Sequence, residues 1–242
     1  MVAEIGGSAG IVRGLTHART SFVGRSGAVD QVAQLLDSYQ LVTITGPGGV
    51  GKTRLADEVL KRVAGQFADG VAVVELAAVS EAALVAAMAA TALQVRQAAG
   101  MSIVDALAAR LSRQQLLLVL DNCEHVLDAA ADLCAVLLTA ADDIAILATS
   151  REPLGLPEEA RFRLAPLTLP DRDAPDRSAE AVTLFVERAR QLNPGFTADG
   201  DSGSLVARLV QRLDGMPLAI ELAAARVEAL GLTQMLDRLD DR

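Results

Sequence analysis

The octapeptide Gly46-Pro47-Gly48-Gly49-Val50-Gly51-Lys52-Thr53 sets glycines, a lysine and a hydroxyl at the spacing G-x-x-x-x-G-K-[ST]. Glycines there let successive backbone N–H groups turn inward around phosphate oxygens, and a helix starting at the lysine offers them the positive end of its dipole. Gly46, Gly48, Gly49, Val50 and Gly51 thus form the expected cradle for a nucleoside triphosphate. Lys52 is the cation for its β and γ phosphates, Thr53 is a hydroxyl ligand for Mg2+, and Arg54 follows directly on the helix. Lys52 and Lys61 are the only lysines among twenty-two basic residues. A chain that otherwise uses arginine keeps lysine where a compact, flexible ammonium is needed.

A second set of polar residues ends apolar runs further along. Asp121 closes Leu116-Leu117-Leu118-Val119-Leu120, sixty-nine residues after Lys52. A carboxylate there suits the second element of a P-loop NTPase, which holds Mg2+. Alone, it could equally cap the next helix. Glu124 is the nearest further carboxylate and the candidate to orient or deprotonate water, with His125 behind it. The competing reading of Glu124 is a first-turn helix residue favoured by the dipole. Arg151 follows the run 144–148, thirty residues after Asp121, the length of one crossover unit. Both should emerge at the same carboxyl edge of a parallel sheet, so Arg151 is a candidate to sense a γ-phosphate; the competing reading is a surface arginine in a loop.

The elements that must position these groups follow from periodicity. Strands are expected at 41–45, 71–76, 116–120 and 144–148, and five apolar residues in a row mark 116–120 for burial on both faces. Helices are expected at 27–38, from the loop to 65, and at 80–93, 102–111 with Ser102 as cap, and 124–139. Residues 1–21 read as a tail or linker, 22–170 as the nucleotide-binding domain, and 170–176 as a polar, proline-punctuated linker. The remainder, 171–242, reads as helices at 178–192, 202–213, 217–230 and 233–239 without a strand.

Composition bounds the function. The chain has 242 residues, is 51% hydrophobic and 2% aromatic, so its core is Ala, Leu and Val, which favours helices packed on a parallel sheet. The net charge is −9, and residues 67–242 carry fifteen basic against twenty-six acidic side chains. No basic stripe exists to grip a nucleic-acid backbone, so direct DNA binding by this segment is not expected. The alanine-rich run 82–95 is too short to cross a bilayer, and no signal segment leads the chain, so a cytoplasmic setting is expected. Cys123 and Cys134, if on one helix, lie about 16 Å apart along its axis, too far for a disulfide. His17 and His125 give no zinc spacing. An N-K-x-D motif and an L-S-G-G-Q signature are both absent, which sets aside the usual GTPases and transporter ATPases and makes adenine the expected base.

Four motifs occur in order: Thr20-Ser21-Phe22-Val23-Gly24-Arg25, L-L-L-V-L-D-N-C-E-H from Leu116 to His125, A-T-S-R-E-P-L from Ala148 to Leu154, and G-M-P-L-A-I-E-L-A-A-A-R from Gly215 to Arg226. Together they resemble the NB-ARC-type module of signal-transduction ATPases with numerous domains (STAND), in particular those of bacterial SARP and large LuxR-like transcriptional regulators. The resemblance implies a five-stranded parallel P-loop core followed by a helical subdomain, with ATP or ADP at their junction. It places Val23 and Arg25 in the adenine pocket, Pro217 near the base, Arg151 as sensor and Asp121 on Mg2+. Two positions depart from the pattern: Ser26 replaces a glutamate after G-R, and Asn122 replaces a second acidic residue after Asp121. The latter points to slow hydrolysis, which suits a switch.

The resemblance also implies further domains of the same regulator as partners, among them a winged-helix domain, helical repeats and a DNA-binding domain. Nucleotide-dependent self-association belongs to the same expectation. The chain stops at Arg242, short of that winged helix, so a truncated segment is expected. The alternative is a turnover enzyme, a small-molecule kinase or motor-type ATPase, in which Arg161, Arg163, Arg172 and Arg177 could mimic a lid.

Overall fold

Strands Val2–Glu4 (β1), Ile11–Arg13 (β2), Leu41–Thr45 (β3), Val71–Glu75 (β4), Leu117–Asp121 (β5), Ala145–Ser150 (β6) and Glu159–Arg163 (β7) form one sheet in the order β1-β2-β4-β5-β6-β3-β7. This is a computed structural model, and it describes residues 2–4, 11–13, 21–171 and 178–240. The five strands β4, β5, β6, β3 and β7 are mutually parallel; β2 extends them in parallel and β1 pairs antiparallel with β2. The segment read as an aperiodic tail thus holds two three-residue strands, too short for any period to register. The rest of that segment, His17 included, lies outside the described residues, as do Arg172 to Arg177 of the linker.

The chain divides into two units: Met1–Thr20, Ser26–Gly46 and Lys52–Leu164 make the first, and Ser21–Arg25, Pro47–Gly51 and Ala165–Arg242 the second. In the first, all five residues of β5 and all six of β6 are buried. Continuous rather than alternating apolarity is what helices on both faces require. Helices Leu84–Ala92 (α3), Ile103–Leu111 (α4) and Leu127–Ala140 (α5) share one core with alternate strand residues such as Val74, Leu118, Leu120 and Ile146. Helices Ser26–Ser38 (α1) and Lys52–Val63 (α2) pack on each other, and α2 also packs on β3 and β6.

Three local differences from the sequence reading have backbone causes. The helix expected at 124–139 is split: Cys123–His125 is a 3-10 turn, Val126 sits at φ −135°, ψ 38°, and α5 starts at Leu127. Cys123 and Cys134 therefore do not share a helix, and both are buried and free. β7 answers to no strand expected from the sequence, because Glu-Ala-Arg-Phe-Arg shows no apolar run; as an edge strand it buries only Ala160. Its register, Leu41 opposite Glu159 through Thr45 opposite Arg163, nonetheless pairs the whole of β3.

The second unit is helical: Glu180–Leu192 (α6), Gly200–Arg212 (α7), Pro217–Ala224 (α8), Val227–Leu230 (α9) and Leu232–Asp240 (α10). The single helix expected at 217–230 is broken between Ala224 and Val227. Phe185 anchors the core among Leu184, Val206, Leu209, Val210 and Ile220, with Phe196 edge-on at 5.9 Å between ring centroids. Buried Arg188 crosses this unit, donating to Glu221 Oε1 at 2.9 Å and to the Ser21 carbonyl at 2.8 Å.

Candidate functional site

β3 delivers its last residue, Thr45, directly to the glycine-rich loop, and its neighbour β6 places Ser150 opposite Thr45. On the other side of β6, Leu120 pairs with Ala148, and β4 places Glu75 opposite Asp121. The register therefore brings Gly46, Asp121 and Arg151 to one carboxyl edge of the sheet. That edge is where parallel α/β sheets bind ligands.

In the first unit, Lys52 is the first residue of α2 and only 6% exposed; its Nζ donates to the Gly46 carbonyl at 2.9 Å. Burial lowers its pKa, opposed by Glu124 and Asp121, while Arg151 adds to the lowering. All three partners thus act on the same ammonium. Thr53 Oγ1 lies 2.9 Å from Asp121 Oδ1 and 3.1 Å from Oδ2. A hydroxyl and a carboxylate in contact are two hard oxygen donors of the kind that suits Mg2+, which takes its other ligands from water and phosphate. Among the described residues, no group of three or more His, Cys, Asp or Glu could hold a metal by itself.

Glu124, in the 3-10 turn after Asp121, has a side chain 11% exposed, and its Oε1 lies 3.3 Å from Nε of Arg151, which is 60% exposed. Its other oxygen, Oε2, is buried and accepts no hydrogen bond among the described residues. A buried acceptor at this edge is a group that a polar ligand or a water can satisfy. His125 is exposed at the end of the same turn.

Between Asp121 and that turn, Asn122 is left-handed at φ 64°, ψ 52°. Asparagine is one of the few side chains that adopt this conformation readily, so its presence here has a backbone reason as well as a chemical one. Its amide donates to Thr149 Oγ1 at 3.0 Å, and Thr149 Oγ1 donates to Asp121 Oδ1 at 2.6 Å. Thr149 was not among the residues the sequence singled out. The signal was its offset: it follows the apolar run of β6 as Asp121 follows that of β5.

A cavity of about 30 Å³ lies beside the Thr53–Asp121 pair, lined in part by Asp57 and Glu75. Burial, reinforced by the charge of Asp121, pushes the Asp57 carboxyl up to about 6. Arg161 and Arg163, possible lid residues in a kinase reading, stand on β7, and Arg161 Nε donates to Glu159 Oε2 at 3.0 Å. Arg172 and Arg177 lie outside the described residues.

The second unit contains the tip of the loop. Gly49 has φ 77°, and a Cβ there would lie 2.9 Å from Leu218 Cβ; Gly51 has φ 96°, and a Cβ there would lie 2.9 Å from Arg25 Nη1. Only glycine meets both the backbone and the packing requirement at these two positions. Leu218 N donates to the Gly49 carbonyl at 3.2 Å, and Arg25 Nη1 donates to the Val50 carbonyl at 2.6 Å. Arg25, itself at φ 59°, also donates through Nη2 to Ala165 and through its amide to Glu180 Oε1. Burial lowers the Arg25 pKa, partly offset by Glu180. Val23 is half-buried against the helical core, and Pro217 is the first residue of α8, where its missing N–H costs nothing.

A family model described as the NB-ARC domain matches residues 25–153. The chain belongs to the NB-ARC family. Over 207 residues it is 44% identical to a Mycobacterium tuberculosis protein provisionally named an HTH-type transcriptional regulator, covering 86% of this chain and 22% of that protein. Over 223 residues it is 40% identical to an uncharacterised protein of the same species, covering 92% of this chain and 55% of that one. This NB-ARC chain thus spans between about a fifth and about half the length of these relatives.

Among solved structures, its fold is similar to that of a STAND protein with a tetratricopeptide repeat sensor from Pyrococcus horikoshii, at TM-score 0.54 and 15% identity over 90% of this chain and 32% of that one. It is similar also to Cdc6p from Pyrobaculum aerophilum, at TM-score 0.56 and 14% identity over 90% and 65% of the two chains. At these identities the likeness is one of fold: the P-loop NTPase sheet with a helical part after it. Among the described residues, no NB-ARC helix is long and apolar enough to cross a membrane.

Proposed function

We propose that this NB-ARC chain is a nucleotide-operated switch module of a bacterial transcriptional regulator, which binds ATP and ADP with Mg2+ and turns ATP over slowly. The observation that carries this reading is the contact of Thr53 with Asp121 beside buried Lys52, at the edge where Glu124 and Arg151 also stand. In it, the loop amides from Gly46, Gly48, Gly49, Val50 and Gly51, with Arg54 next on the helix, bind phosphates, and Lys52 holds the β and γ groups. Thr53 and Asp121 hold Mg2+, which when bound neutralises charge on the phosphates. Val23, Arg25 and Pro217, all in the unit that includes the loop tip, contact the adenine.

Glu124 Oε2 orients a water, and Arg151 answers to the γ-phosphate. With only Asn122 after the metal aspartate, and with Glu124 tied to Arg151, hydrolysis is slow and the bound nucleotide sets the conformation. The module works in the cytoplasm alongside further domains of the same polypeptide, including the DNA-binding part suggested by the regulator named above, and through nucleotide-dependent self-association. Its own acidic surface does not bind nucleic acid.

The test is to extract and identify the nucleotide from purified protein and to time ATP turnover in wild type, Lys52→Ala and Arg151→Ala. Adenine nucleotide in wild type, lost with Lys52→Ala, and turnover on the scale of minutes are expected. Many turnovers per second, or phosphate transfer to a small molecule, would replace this reading with that of a turnover enzyme.

A further inference from the structure

We propose that Thr149 is the positioning residue of the metal site: its hydroxyl fixes the Asp121 carboxylate in the orientation that binds Mg2+. The proposal rests on the Mg2+–nucleotide reading given above. Its ground is a hydrogen-bonding constraint. A threonine hydroxyl has one proton to donate. The Asn122 amide, itself a donor, lies 3.0 Å from Thr149 Oγ1, so the hydroxyl accepts there and its proton must go elsewhere. The available acceptor is Asp121 Oδ1 at 2.6 Å. The proton direction is therefore set by the neighbours rather than by choice of rotamer.

Thr149 is suited to the task in two further ways. It is 0% exposed, so no water competes for the bond, and Asp121 is itself 8% exposed, so the carboxylate depends on protein donors. Its branched side chain on β6 has restricted χ1 freedom, which makes the hydroxyl a fixed rather than a searching donor. The left-handed Asn122 turns its amide onto that same oxygen and closes the chain Asn122 N to Thr149 Oγ1 to Asp121 Oδ1. Thr53 Oγ1 faces the same carboxylate, 2.9 Å from Oδ1 and 3.1 Å from Oδ2. The carboxylate is thereby anchored to a strand through Oδ1 while both of its oxygens stay within reach of the second metal ligand. Thr149 touches neither phosphate nor water in this scheme; it acts through Asp121.

The experiment separates metal binding from nucleotide binding in the 242-residue chain. A fluorescent non-hydrolysable ATP analogue is bound first in EDTA and then titrated with Mg2+, in wild type, Thr149→Val, Thr149→Ala and Thr149→Ser, each checked for a native melting transition. Loss of one charge-assisted hydrogen bond to the metal carboxylate should raise the half-saturating Mg2+ concentration about tenfold in Thr149→Val. Thr149→Ala, which tolerates a different packing, should shift likewise. Thr149→Ser should titrate as wild type, and affinity in EDTA should be equal for all four. Wild-type Mg2+ titrations in both hydroxyl-less variants would overturn the proposal while leaving the nucleotide reading intact. So would a loss of EDTA affinity that Thr149→Ser shares, since that is a packing effect. A wild type that binds the analogue with no response to Mg2+ would overturn the metal reading itself, and the proposal with it.

Discussion

Replacing Glu124 with glutamine removes a charge without removing volume, and the proposed function gives that charge two jobs that the substitution pulls in opposite directions. Oε1 pairs with Arg151 at 3.3 Å, but Arg151 is 60% exposed, so the pair is worth only about 0.2–1 kcal/mol net. Breaking it frees Arg151 for a γ-phosphate and removes a negative charge from the neighbourhood of Lys52. ATP affinity relative to ADP should therefore rise by about 1.4- to 5-fold, the same energy read as a binding ratio. Oε2 is the buried acceptor without a partner, and if it orients water, loss of the carboxylate should slow hydrolysis by about 100-fold or more. Equilibrium binding of labelled ATP and ADP gives the first number, and single-turnover hydrolysis with Mg2+ gives the second. A Glu124→Gln protein that hydrolyses ATP at the wild-type rate would refute the catalytic assignment. The residue would then act only through its ion pair with Arg151, and its loss would appear in the ATP-to-ADP affinity ratio and not in turnover.

The other predictions concern groups outside the proposed catalytic set. Asp57 is raised from 3.8 to about 6, so the folded state holds an extra proton between those values: its contribution to stability is full below about pH 4 and is lost as pH rises through about 6. Asp57→Asn should remove that loss, stabilising the protein by on the order of 1–2 kcal/mol at pH 8 after allowance for its partial exposure, and by nothing at pH 3.5, as read from denaturant midpoints. Arg188→Ala should cost the helical unit about 2–3 kcal/mol in denaturant melts, because it strips the Ser21 carbonyl and Glu221 of a buried partner, while Glu221 remains accessible enough to hydrate. Burial raises both cysteine thiols, Cys134 to about 12, so neither should react with a thiol reagent at pH 8 until the protein unfolds; rapid labelling of the native protein would contradict their placement.

What the sequence made legible was what repeats or stands alone. Leu116 to Leu120 reads as a doubly buried strand because five apolar residues run in succession and end at a carboxylate, and the loop reads because its glycines have no other reason to cluster. Glu159–Arg163 was illegible because an edge strand in contact with one neighbour needs only one buried side chain, and a single Ala160 makes no pattern. The split before Leu127 was hidden for a different reason: Val126 is unremarkable as a letter, and only its φ of −135° and ψ of 38° show that the 3-10 turn does not run on into the helix. Glu124 and Arg151 were each named as candidates, yet their pairing depends on the β5–β6 register, which no local window contains. Thr149 fell below notice for the same cause, since its importance lies in what the adjacent strand sets opposite it.

The left-handed residue at 122 also bears on how this lineage could change. A position held at φ 64° admits glycine, asparagine and aspartate at little cost, whereas a longer or branched side chain pays about 1 kcal/mol or more for the same backbone. A second carboxylate beside Asp121 is therefore reachable here as aspartate, the neighbour of asparagine in size and shape, and disfavoured as glutamate. The geometry of one peptide unit thus limits the routes by which the proposed slow switch could be converted into a faster enzyme, before any question of chemistry arises.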